Sequence, residues 1–189
     1  MSQPVPAKKP ASYEDLLRVP DHLVAEILEG ELFATPRPAA PHAHTAFRLS
    51  AALGAPFDAG RGGPGGWVML FEPELHLHED VVVPDLAGWR RERLPVLPDA
   101  PFLTLAPDWV CEILSPPTER IDRLHKLRIY SRESVAHAWL INPLQRTLEV
   151  LRLEQGRWTV AATHGGEEDL VLVAPFEALP LELSRIWPG

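Results

Sequence analysis

The sequence predicts a mixed α/β fold: a β-sheet core flanked by helices and opened by an N-terminal hairpin. Three observations carry that reading. Strand-like segments lie on both sides of one basic, amphipathic helical stretch at residues 119–132. The segment DWVCEILS (108–115) is apolar on both faces, as a strand in the middle of a sheet is. The order strands, helix, strands is that of a mixed sheet domain.

Each element has its own signal. Ser12 followed by Asp15 resembles a capping box and starts a short helix over 12–18. LVAEILEGELFATP reads as two strands turning at Glu29-Gly30. HTAFRLSAAL, from His44 to Leu53, reads as an amphipathic helix stopped by Gly54 and Pro56. A glycine-rich loop at 58–66 precedes the strands WVMLFEPELHLHE and VVVPDLAGW, and a proline-rich loop covers 94–107. After the central strand, Thr118 caps a helix to Arg132, with Ile121, Leu124, Leu127 and Tyr130 as its apolar stripe. AHAWLINP, TLEVLRLEQ and RWTVAATH follow as a meander turning at Asn142-Pro143 and Gln155-Gly156, and LPLELSRIWPG packs back on the core. The 189 residues organise as a flexible tail, 1–11, and a single domain, 12–189.

Composition narrows the function. No apolar run approaches the ~20 residues of a membrane-spanning helix, and MSQPVPAKKPASYEDLL lacks the apolar core of a secretory signal, so a cytoplasmic protein is expected. A single cysteine, Cys111, excludes an internal disulfide framework and a multi-cysteine zinc site. The net charge of −8 argues against a broad basic surface that coats nucleic acid. It leaves room for an enzyme that meets DNA through one local basic strip.

Two carboxylates interrupt the apolar strands: Asp85 in VPDLAGW and Glu112 in DWVCEILS. A buried, unpaired carboxylate costs several kcal/mol, so each needs a donor, a cation or a metal. Strand alternation puts Val110, Glu112 and Leu114 on one face, toward helix 119–132 or a cleft, and Cys111 and Ile113 on the other. Pro84 lacks an N–H and places Asp85 at a strand end or edge. Two carboxylates at adjacent strand ends suit one hard cation such as magnesium. The main-chain carbonyl of Ile113, a hard oxygen one residue past Glu112, is a further metal ligand. Arg120, Arg123, His125, Lys126, Arg128 and Arg132 make helix 119–132 the most basic segment, suited to phosphates.

The string VVVPD…PDWVCEILSPPTERIDRLHKLRIYSRESVAHAWLINPLQRTLEVLRL, with AEILEGEL and a proline-rich turn and histidine upstream, resembles the bacterial Uma-two family of restriction endonucleases, within the PD-(D/E)XK nuclease superfamily. The likeness spans roughly residues 12–155. It implies a restriction-endonuclease-like fold and magnesium-dependent hydrolysis of DNA, with manganese as the substitute ion. Asp85 and Glu112 would be its metal-binding acids, Lys126 its catalytic lysine orienting the attacking water, and Glu26 an auxiliary acid. One position departs from the standard motif: two residues after Glu112 stands Leu114, not lysine. Lys126 would then serve from the following helix.

Other readings compete. Lys126 with Asp122 four residues earlier also fits a surface ion pair. His42 and His44 flank a helix start; His76 and His78 alternate with Glu72 and Glu74, a spacing that suits a transition metal. A metalloenzyme built on His76 and His78 lacks a third histidine and a suitably spaced downstream glutamate. An inactive binding or assembly module on the nuclease scaffold is the main alternative, and it would satisfy Asp85 and Glu112 with protein donors. Duplex cleavage by so small a domain requires a homodimer or higher oligomer, with the meander strands as candidate pairing edges.

Overall fold

The computed structural model describes residues 9–165 and 168–188. Residues 1–8 of the expected tail lie outside the described residues. Ala11 is tied down, its N–H donating to the Gly30 carbonyl at 2.9 Å.

The chain opens with α1 (Tyr13–Leu16), capped reciprocally by Ser12 and Asp15. Strands β1 (Leu23–Leu28) and β2 (Glu31–Pro36) form the expected hairpin. Glu29 and Gly30 turn it with φ of 53° and 80°, the left-handed pair that a two-residue turn needs.

Helix α2 (Ala40–Leu53) starts four residues ahead of the expected His44, with a proline in its first turn. Proline there loses no hydrogen bond, so Pro41 begins the helix instead of blocking it. Nor does the chain stop at Gly54: a π-helical turn, Gly54–Asp58, runs through Pro56 and delivers Phe57 to the core.

Strands β3 (Trp67–Phe71), β4 (Leu75–Leu77), β5 (Asp80–Val82) and β6 (Leu86–Arg90) follow. VVVPDLAGW is therefore not one strand. Its first half joins a four-stranded antiparallel sheet, β2-β1-β5-β4, and its second half a larger sheet. Pro84-Asp85 is the crossing point.

The larger sheet runs β10-β9-β8-β7-β6-β3, from β7 (Trp109–Ile113), β8 (His137–Asn142), β9 (Thr147–Glu154) and β10 (Arg157–Gly165). Within this sheet, among the described residues, only β7 and β8 pair in parallel, because helix 119–132 carries the chain across between them. That helix comprises α3 (Glu119–Ile121), a π-helical turn Asp122–Lys126 and α4 (Leu127–Arg132). A small β11 (Leu170–Val171) and β12 (Leu181–Glu182) pair precedes the C-terminal segment, which buries Leu183 and Ile186.

The two faces of the six-stranded sheet bury different cores. On one, Trp109, Trp139 and Phe176 pack edge to face, with Trp67 tilted against Phe176, beneath α2 and the C-terminal segment. Gly88 fits between Trp67 and Trp109, whose ring carbons would stand 3.3 and 3.2 Å from any Cβ. On the other, Val110 and Leu114 meet Ile129 and Tyr130, the alternation expected for β7, while Cys111 and Ile113 join the tryptophan side.

Candidate active site

The expected apolar stripe of helix 119–132 is displaced. Leu124 is 41% exposed, and the buried face instead runs through Asp122, Lys126, Ile129 and Tyr130. The π-helical turn holds an extra residue and breaks the regular 3.6-residue phase, so spacing alone misplaces the face. The Asp122–Lys126 pair is thus an interior pair, with side chains 4% and 7% exposed.

Lys126 is the hub. Its Nζ lies 3.2 Å from Glu112 Oε2, 3.1 Å from Glu26 Oε1 and 3.5 Å from Asp122 Oδ1, and it donates to the Val83 carbonyl at 3.0 Å. Four separate segments supply this cluster: β1 brings Glu26, the β5–β6 crossing Val83, β7 Glu112, and the helix Asp122 and Lys126. Glu26 also accepts the Val83 N–H at 2.8 Å, and Tyr130 donates its hydroxyl to Glu112 Oε1 at 2.5 Å.

Asp85 joins from the crossing point. Its Oδ2 accepts the Ile113 N–H at 2.6 Å, and its Oδ1 lies 3.2 Å from His42 Nε2. His42 is buried on α2, and its Nδ1 has no partner. Together with Arg37, Glu72 and the Ser115–Thr118 turn, these residues line one cleft of about 280 Å³.

The electrostatics follow from burial. Desolvation pushes the Glu112 carboxyl well above the usual range, with Asp122 and Asp85 adding to it; Lys126 and the Tyr130 hydroxyl oppose the rise. Asp122 is raised to about 6, again by burial first, against the pull of Lys126. Burial also lifts Glu72. For Lys126 desolvation acts downward, yet Glu112, Glu26, Asp122 and Asp85 together carry it well above its ordinary value. Burial likewise favours neutral His42, but the bond to Asp85 reverses it and raises the imidazole.

The cleft has the donor chemistry of a hard-cation site, since Glu26, Glu72, Asp85, Glu112 and Asp122 are all oxygen ligands. As placed, no three His, Cys, Asp or Glu side chains among the described residues are grouped to hold a metal. Magnesium takes as few as one or two carboxylates and keeps its waters, so the oxygen donors that line the cleft suit such an ion.

Asp85, Glu112, Lys126 and Glu26, singled out from the sequence, all line the cleft; Ile113 is not among the lining residues and touches the site only by its N–H bond to Asp85. His44 is exposed on α2. His76 pairs with Glu74 and stacks on Phe102 at 3.8 Å, and His78 is surface-exposed beside Glu133, so they share no site with Glu72. The basic strip is largely neutralised: Arg123 pairs with Glu119 and Glu149, His125 and Arg128 with Glu29, and Arg132 with Asp80 and Glu133. Four residues of the site escaped sequence reasoning in that role: His42, Glu72, Asp122 and Tyr130. A helix begun at Pro41 would have exposed His42, which continues the buried series Thr45, Ala46, Leu49 and Leu53.

A crystal structure from Anabaena variabilis, described as "a putative nuclease", matches with a TM-score of 0.71 at 23% identity, covering 94% of this chain and 98% of that one. At that identity the likeness is one of fold. The sequence supplies the family: the Uma2 model, described as "Putative restriction endonuclease", matches residues 10–184, and the chain belongs to that family. No curated protein matches it. Among the described residues, no helix is long and apolar enough to cross a membrane.

Proposed function

We propose that the protein is a magnesium-dependent nuclease, with manganese as substitute ion, that hydrolyses phosphodiester bonds in DNA. One observation carries the reading: acids from β1, β7 and the helix converge on Lys126, and Asp85 of the β5–β6 crossing lines the same open cleft. Structural convenience does not account for so many carboxylates around one ammonium, because each costs desolvation that an apolar side chain would avoid. The family and the fold of the Anabaena structure point the same way.

Asp85 and Glu112 are assigned as the metal-holding acids, with the Ile113 main-chain carbonyl completing the set and Glu26 as the auxiliary acid. A bound divalent cation supplies concentrated positive charge that polarises a phosphodiester. The chain's own groups do the rest. Lys126, held protonated by its carboxylates, donates a hydrogen bond that orients the attacking water and offsets charge on the phosphate; it is no general base. Asp122 takes up the proton that the water releases as its oxygen bonds phosphorus; the bond to the leaving oxygen breaks, and that oxygen takes a proton from solvent. Tyr130 fixes the Glu112 carboxyl, and His42 that of Asp85. A homodimer is proposed as the unit that cuts both strands.

A second reading has an observation of its own. Asp85 accepts from Ile113 and faces His42, and Glu112 accepts from Tyr130 and Lys126, so both acids have protein donors. That is the pattern of an inactive binding module. Nicking of supercoiled plasmid separates the two. The nuclease reading expects cutting with magnesium or manganese, none with chelator, and none from folded Asp85→Asn. Absence of cutting by the folded wild type with either ion favours the binding module.

A further inference from the structure

A phosphodiester entering this cleft meets five carboxylates, and its charge must be answered by cations that are free to turn toward it. Lys126 is assigned to the attacking water and the phosphate that reacts; buried and held by Glu26, Glu112, Asp122 and the Val83 carbonyl, it cannot also turn toward a neighbouring phosphate. The arginines of helix 119–132 are committed to carboxylates, apart from exposed Arg120, which does not line the cleft. Among the lining residues one permanent cation remains available. Arg37 is exposed, and its only polar contact among the described residues is a donation from Nη2 to the Asp21 carbonyl at 3.1 Å.

Its backbone is restrained as well. Arg37 sits between Pro36, the last residue of β2, and Pro38, so the proline after it confines it to extended conformations. The β1–β2 hairpin thus presents a guanidinium from a stiff rim, three residues ahead of α2. A planar guanidinium matches phosphate oxygens two at a time, which a point charge does not.

We propose that Arg37 is the substrate-positioning residue of this cleft, contacting a backbone phosphate of the nucleic acid next to the bond that is cut. The inference rests on the nuclease reading for its substrate and goes beyond it in naming the residue that holds the chain of phosphates. It carries no base specificity, because a phosphate contact fixes register and not sequence.

The test compares wild type, Arg37→Ala, Arg37→Lys and Arg120→Ala. Initial cleavage rates of a fluorescein-labelled DNA duplex are measured with magnesium over a range of salt, and anisotropy reads binding of the same duplex. Expected are a several-fold rise in KM for Arg37→Ala with kcat little changed, and a salt slope shallower by about one. Arg37→Lys keeps the salt slope and recovers part of the KM. Arg120→Ala behaves as wild type. Unchanged KM and slope in a folded Arg37→Ala overturns the inference, as does a larger effect at Arg120. If wild type binds without cutting, the nuclease reading falls while the anisotropy slopes still decide the role of Arg37; if it neither binds nor cuts, both fall.

Discussion

Lys126 and Glu112 form an ion pair in the interior, Nζ to Oε2 3.2 Å, with side chains 7% and 2% exposed. A lysine that the sequence offers equally as a surface partner of Asp122 is in fact the counter-charge for three acids. Its replacement therefore acts on the fold as well as on chemistry. Lys126→Ala is expected to lose about 3–5 kcal/mol of stability, the range for breaking a buried pair from one side. Denaturant unfolding of Lys126→Met, Glu112→Gln and the double variant checks this: the double should lose less than the two singles together, and strict additivity would contradict the pairing.

Asp122 makes stability depend on pH. Its folded-state pKa of about 6 lies above the ~3.9 of an unfolded aspartate, so the native state binds the proton more tightly. Its contribution is then fully present below pH ~3.9 and is lost as the pH rises through about 6. Denaturation of wild type and Asp122→Asn between those limits should show a stability decline with rising pH in wild type that is weaker in the variant. Parallel curves would contradict it.

Tyr130→Phe keeps the ring in the core and removes the hydroxyl that Glu112 accepts. The expected cost is about 1.5–3 kcal/mol, the range for a hydrogen bond to a charged group, with native-like near-UV circular dichroism. A neutral substitution would mean that Glu112 does not depend on this donor.

The oligomeric state is a separate test. β10 and β3 are the open edges of the large sheet, and Val160 on β10 is 57% exposed. Light scattering at micromolar concentration is expected to report a dimer or larger; a monomer counts against cutting of both strands by one assembly.

Much of this was legible in the sequence because the signals were local. The hairpin announces itself through Glu29-Gly30, the central strand through its continuous apolar run, and the face of Glu112 through simple alternation. What failed was phase and continuity. An N-terminal proline hid the first turn of α2 and with it His42; a π-helical turn shifted the buried face of helix 119–132 onto Asp122 and Lys126. VVVPDLAGW looked like one strand because nothing in its composition marks the passage from one sheet to another. Asp85 stands at that passage, where a strand-end acid can face a cleft. The neutralised basic strip was equally hidden, since its partners Glu29, Asp80 and Glu149 are distant in sequence.

The central claim is that Asp85 and Glu112 hold one divalent cation, and a manganese soak of crystals tests it most directly. The account predicts an anomalous peak within bonding distance, about 2–2.2 Å, of a carboxylate oxygen from each, with Lys126 displaced from Glu112. A crystal that takes up manganese elsewhere, or none at all while Tyr130, Lys126, Ile113 and His42 keep both carboxylates, would contradict it.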